Sequence, residues 1–216
     1  DAPNRFIINV QEDQVEPLRA FVAERGIAPP TLYPMVRGRL IERNGRAVNG
    51  EQYPDDDPRA RRFAEREFNL SSADGFGDDN KIVAGRTWPR EYRGAPQVSV
   101  EEKFAETLGW KVGDRIAFDI AGQRIDARIA NLRKVEWESF KPNFFVVFSP
   151  GALDGYSASY ITAVKVPAER TRFTAEVVER FPNLSVIDVD AILTQVRSIG
   201  DQVAQVVQVV FWFSLA

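Results

Sequence analysis

The chain has no cysteine, no histidine and a single methionine in 216 residues. Without cysteine, this chain alone cannot build a disulfide, a thiolate nucleophile, an iron–sulfur cluster or a cysteine-bound zinc. Without histidine, it lacks the commonest general base near neutral pH and the commonest transition-metal ligand. Ser-His-Asp and Cys-His catalysis are therefore excluded, and an enzyme here would have to use paired carboxylates or a Ser-Lys pair. A surplus of either charge is also missing: 28 Lys+Arg stand against 31 Asp+Glu, a net charge of −3. Proteins that hold nucleic acid by neutralising phosphates need a basic surplus, so no nucleic-acid partner is expected. What is present is 44% hydrophobic and 11% aromatic residues, enough for a sizeable core in one domain or two small ones.

The pattern opens β-α-β. Residues 5–10 (RFIINV) read as a strand, and Val15, Leu18, Phe21 and Val22 recur at helical spacing until Gly26. A second strand over 32–43 ends at Asn44-Gly45, a strong hairpin signal that sends the chain back through 46–48. Residues 50–66 are polar, with a short charged helix after the Asp55-Asp56-Asp57 run, and strand-like pieces follow at 68–72 and 81–85. Ser99 with Glu102 has the spacing of a capping box before Phe104, Ala105 and Leu108, and Gly109 ends that helix. Period-two alternation then runs through Ile116, Phe118 and Ile120, turns at Ala121-Gly122-Gln123, and resumes at Ile125, Ala127 and Ile129. Strands over 143–148 and 159–166, a helix through Phe173, Val177 and Phe181, and a strand over 184–189 complete a β-β-α-β series. The expected class is α+β. A sheet lobe of residues 1–48 and 141–190 carries an inserted β-rich lobe of residues 49–140, and a stalk helix follows over 191–216.

The last segment has the most specific spacing. Ile192, Val196, Ile199, Val203, Val206 and Val210 are separated by 4-3-4-3-4, an a/d seam interrupted by Gly200. Residues 202–216 carry no charge, and as a helix they would span about 22 Å against a ~30 Å hydrocarbon core. They read as the start of a transmembrane helix, with an amphipathic helix lying on its own sheet as the alternative.

Three local groups are candidate contacts. Arg37, Arg39 and Arg43 fall on one face of their strand and suit a carboxylate or phosphate, or else form a solvated face balanced by nearby acids. Trp137, Phe140 and Phe144, with Phe145, make an aromatic cluster at the lobe junction, either a groove for an apolar chain or plain core. The Asp74 to Asn80 run lacks the spacing and distal Glu of a calcium loop and reads as a turn. Glu101-Glu102 and Glu136/Glu138 are carboxylate pairs with no catalytic context, and no metal or cofactor site is expected.

The segments RFIINVQEDQVEPLRAF, LYPMVRGRL, LGWKVGDRIAFDIAGQRIDARI and NFFVVFSPGALD together resemble the periplasmic domain of MacB/FtsX-type ABC transporter permeases, in their YbbP-like branch. The opening DAPNRFIINVQ is similar to the second of the two periplasmic domains found in that branch. The resemblance implies a porter-like β-α-β lobe with an inserted β-rich lobe, set between transmembrane helices of a bacterial inner-membrane protein. It also implies a non-enzymatic role: a separate cytoplasmic ATPase subunit uses the ATP, and the domain passes the motion to the periplasm (mechanotransmission) to export lipids or hydrophobic compounds. Ile192, Val196, Ile199, Gly200, Val203, Val206 and Val210 would then be the coupling helix. The rivals are a passive module that recruits a periplasmic protein partner, and a hydrolase that works without histidine.

Overall fold

A computed structural model describes residues 2–53 and 58–198. In chain order the elements are β1 (Arg5–Val10), α1 (Val15–Glu24), β2 (Tyr33–Arg43), β3 (Arg46–Ala47), α2 (Pro58–Glu65), β4 (Glu67–Ser72), β5 (Asn80–Gly85) and β6 (Gln97–Glu101). There follow α3 (Glu102–Leu108), β7 (Arg115–Ile120), β8 (Gln123–Val135), β9 (Val146–Phe148), β10 (Ser159–Val164), α4 (Phe173–Arg180), β11 (Ser185–Asp188) and α5 (Val189–Ser198).

The local signals that start and stop these elements are visible in the backbone. α1 places Leu18, Phe21 and Val22 on its buried face and is followed by Gly26 at φ 75°. The β2–β3 hairpin turns at Asn44 and Gly45, both at positive φ, and β7–β8 turns at Ala121 and Gly122 in the same way. α3 differs from the expected capping box. Its cap is Glu101, whose carboxylate accepts hydrogen bonds from the Lys103 and Phe104 N–H groups, both at 2.9 Å. Ser99 lies two residues earlier inside β6, a strand the capping-box reading hides.

The first and last parts of the chain interlock in one antiparallel sheet of order β11-β1-β10-β2. β1 and β2 thus run parallel with β10 between them, and β10 and β11 run parallel with β1 between them: two split β-α-β units, the ferredoxin-like order. α1 and α4 cover one face around Ile7, Val10, Leu18, Phe21, Val177 and Phe181.

The middle of the chain closes on itself. β2 pairs β4, β4 pairs β9, β9 pairs β6, β6 pairs β8, β8 pairs β7, and β7 returns to β2, a ring of six strands. Its interior is filled by alternate residues such as Val36, Leu40, Leu70, Val98, Phe118, Ile129 and Phe148, so it is a packed barrel. Gly38 occupies an inward position on β2, where an added Cβ would sit 2.5 Å from Leu70 Cδ1. β2 belongs to both bodies: Tyr33, Pro34 and Met35 pair with β10, and Val36 onward pairs with the barrel. The β-rich body therefore starts inside β2. β9, the ordered remnant of the strand expected over 143–148, pairs with β4 and β6 in the barrel.

Candidate functional site

A buried polar seam centred on β8 lies beside the junction of the two bodies. From Ile125 to Val135 every second residue of β8 is buried, and Asn131 and Arg133 fall on that inward phase. Arg133 is completely buried. Its Nε donates to Asn80 Oδ1 at 2.9 Å, its Nη1 to Ser99 O and Oγ at 3.0 and 3.2 Å, and its Nη2 to the Phe144 carbonyl. The network continues outward. Asn80 Nδ2 donates to Asn143 Oδ1 at 2.9 Å, and Asn143 Nδ2 donates to Asp79 Oδ2 at 2.7 Å. Ser139 Oγ reaches the same Asp79 oxygen at 3.2 Å. One buried guanidinium thus fastens β5, β6 and the 136–145 segment that joins β8 to β9.

A cavity of about 260 Å³ lies against this network, walled among others by Tyr33, Phe76, Asp79, Arg133, Lys141 and Phe144. Burial pushes the Arg133 pKa down, opposed by the carboxylates of Glu101 and Asp79. Burial raises the Tyr33 hydroxyl, Asp79 raises it further, and Lys141 pulls the other way. The lining offers a carboxylate, amides and a phenol beside aromatic walls, suited to a small polar molecule with an apolar part. Among the described residues no group of three or more Asp or Glu side chains converges as a metal site. The acidic run divides: Asp79 is buried against Asn143 and Ser139, and exposed Asp78 meets Lys141 Nζ at 3.3 Å.

The aromatic candidates all reach this seam but face different ways. Phe144 is buried in the junction cluster with Phe6, Met35, Val147, Ile161 and Val189, and Phe140 packs on its margin. Trp137 touches both this cluster and the barrel core. Phe145 points into the barrel and stacks on Phe104 with centroids 4.9 Å apart. The arginines of β2 stand on the barrel's outer wall. Arg37 lies 4.0 Å from Glu67, Arg39 3.8 Å from Asp119 and Arg43 2.9 Å from Asp114. Arg43 and Asp114 form a closed unit, because Asp114 also accepts from Asn44 Nδ2 and from the Lys111 N–H.

α5 begins on the junction side of the sheet, with Val189 buried and Ile192 and Leu193 half-buried in the same cluster as Phe144. The side chain of Val196 and residues Ile199, Gly200, Val203, Val206 and Val210 lie outside the described residues, as does the uncharged segment over 202–216. Among the described residues no helix is long and apolar enough to cross a membrane.

A second polar knot ties β1 to α5, and nothing in the sequence pattern marks it. Asn4, buried just before β1, accepts the Val166 N–H on its Oδ1 at 2.8 Å and donates from Nδ2 to the Val166 carbonyl at 3.0 Å. Its backbone carbonyl accepts the Val189 N–H, the first amide of α5, at 3.0 Å. Next to it Arg5 Nη1 lies 3.2 Å from Asp188 Oδ1. The strand that enters the fold and the helix that leaves it are therefore bound side by side.

Arg133 could have been found in the sequence as a charged residue in phase with Ile125, Ala127 and Ile129. Asp79 and Asn143 could not, because their pairing joins loops distant in the chain.

No protein-family model matches the chain. It is 38% identical over 196 residues, 91% of its length, to a protein of Escherichia coli (strain K12) described as "Uncharacterized ABC transporter permease YbbP". It spans 23% of the length of that relative. The chain is therefore a relative of one segment of a YbbP-type ABC transporter permease.

Proposed function

We propose that this chain is a periplasmic domain of an inner-membrane ABC transporter permease that converts ATP-driven movement of the membrane helices into movement outside the membrane. The observation that carries this reading is the Asn4 knot. β1 and α5 are pinned to each other at one point of the sheet, so displacement of the segments flanking the domain would be delivered there together. Similarity to a permease supports the transporter context. In this reading a cytoplasmic ABC ATPase subunit hydrolyses the ATP, and α5 with the seam from Ile192 to Val210 forms the lever. The compounds moved are lipids or other hydrophobic molecules, and the domain itself holds no cofactor.

The test uses the whole permease with its ATPase subunit in lipid nanodiscs. Val178, 40% exposed on α4, is replaced by cysteine, and a fluorophore there reports energy transfer to an acceptor in the lipid headgroups. The chain's lack of cysteine makes this label unique within the domain. Transfer efficiency is expected to change between the nucleotide-free and ATP-bound states. Equal efficiency in both states would overturn transduction and favour a domain that only recruits a partner.

A further inference from the structure

Most polar groups lining the cavity of about 260 Å³ beside Arg133 are already engaged. Arg133 gives its N–H groups to Asn80, Ser99 and the Phe144 carbonyl, and Asn143 bonds both Asn80 and Asp79. Ser71 Oγ donates to the Pro34 carbonyl at 2.6 Å, and Lys141 Nζ meets Asp78 at 3.3 Å.

Two groups are left over. Asp79 is only 7% exposed, yet its carboxylate is engaged on one side alone. Oδ2 accepts from Asn143 and Ser139, and among the described residues Oδ1 accepts no hydrogen bond. Oδ1 stands beside Gly77, another residue of the cavity wall, where an added Cβ would lie 3.1 Å from it. The second group is the hydroxyl of Tyr33, half-buried at the start of β2, with no hydrogen-bond partner among the described residues. Burial first, and then the charge of Asp79, raise its pKa above the ordinary 10.0, so it keeps its proton and can donate. An unused acceptor and an unused donor on one cavity match an alcohol, which donates to the carboxylate and accepts from the phenol.

The remaining lining selects what carries that alcohol. Formal charges are matched within the protein: Arg133 interacts with Asp79 and Glu101, and Lys141 with Asp78. An ionic ligand would lose its hydration without gaining a free counter-charge, whereas a neutral one avoids that penalty. Phe76 and Phe144 supply apolar wall for carbon atoms. A volume below the ~300–1,000 Å³ of pockets for drug-sized ligands limits the occupant to about one ring. The walls are also held ready. The Asp79 carbonyl accepts the Glu136 N–H at 2.8 Å, and the Phe76 ring packs against the Arg133 guanidinium at 5.1 Å and the Trp88 ring at 6.0 Å.

We propose that this cavity binds a neutral polyol the size of a single sugar ring, one hydroxyl bridging Tyr33 Oη and Asp79 Oδ1 and the carbon skeleton lying against Phe76 and Phe144. A free sugar and the sugar headgroup of a lipid share this chemistry. The site follows from the cavity alone and does not rest on the transduction reading.

The experiment titrates methyl β-D-glucoside against the whole permease in phosphatidylcholine nanodiscs by saturation-transfer NMR, with empty nanodiscs as the blank. Binding is expected with a Kd on the order of millimolar for a ligand of this size. Tyr33→Phe removes only the unpartnered hydroxyl, so it should weaken the glucoside by roughly three- to tenfold and leave the urea midpoint unchanged. Gly77→Ala, which crowds Asp79 Oδ1, should also weaken it, and Tyr156→Phe, outside the cavity, should not. Vesicles carrying monoglucosyl diacylglycerol form a second arm. Vesicle binding that is lost in Tyr33→Phe assigns the lipid headgroup, and glucoside binding without vesicle binding assigns the free sugar. No binding in either arm, undiminished affinity in Tyr33→Phe, or tighter binding of benzylamine or benzoate than of the glucoside overturns the proposal. Glucoside binding that persists when ATP causes no change in energy transfer would refute transduction and leave this site standing.

Discussion

The two bodies of this molecule solve the problem of sheet edges in opposite ways. The barrel removes its edges by closing six strands into a ring, with only the short β3 and β5 appended outside. The four-stranded sheet stays open at β11 and holds the two ends of the fold, β1 and α5, at one spot. A closed barrel is a self-supporting unit whose exterior is free to vary in charge. The open sheet is where movement of neighbouring segments would enter. Their polar knots differ accordingly: Arg133 ties barrel strands to the segment whose Phe144 packs against the sheet, and Asn4 ties β1 to α5.

The largest effect should come from breaking the lock between them. Arg133→Ala would leave Asn80, Ser99 and the Phe144 carbonyl without their donor and Glu101 and Asp79 without their balancing charge. It should cost about 3–5 kcal/mol, read from urea unfolding. If the guanidinium is what makes the two bodies unfold together, the variant should show two transitions where the parent shows one. A single parent-like transition would mean that β2 alone holds them.

Asn4→Ala is expected to be milder, about 2 kcal/mol, because it strands the N–H and C=O of Val166 but keeps the backbone bond to Val189. Hydrogen exchange should speed up at Val166 and stay slow in the barrel strands. An equal rise in both bodies would erase the distinction drawn here.

The smallest effect concerns acid. Burial pushes the Asp114 carboxyl up, but hydrogen bonds from the Lys111 N–H, Asn44 and Arg43, with the charge of Arg43, outweigh it and set the pKa below its ordinary 3.8. A carboxyl lowered on folding contributes stability that is present above the unfolded pKa and disappears as pH falls through the folded one. The barrel pole should therefore loosen below about pH 4 in the parent, and Asp114→Asn should flatten this part of the stability–pH curve. An unchanged curve would show that Asp114 is not the group titrating.

Much of this architecture can be read from the chain, and the exceptions have physical causes. The β-α-β, insertion, β-β-α-β order follows from local periodicity, and so do both tight hairpins, since Asn44-Gly45 and Ala121-Gly122 supply the positive φ such turns need. Closure of the barrel is not local. It depends on β9 pairing with β4 and β6, and three residues flanked by Phe144 and Phe145 give no hint of which core each ring will join. β6 hides for another reason: Ser99 and Glu102 look like a helix start, and a helix does start there, but two residues later with Glu101 as its cap. Of the seam, Arg133 shows in the alternation of β8, and its partners emerge only from the register with β5 and β6.

β2 passes from the sheet into the barrel without a break, and this limits how the domain can be cut or recombined. No tether separates the two bodies on that side, so a protease has no site there and a gene rearrangement has no neutral crossover point. Transplanting the barrel into another protein would carry part of the neighbouring sheet with it, and the fold should therefore be inherited, and lost, as one piece.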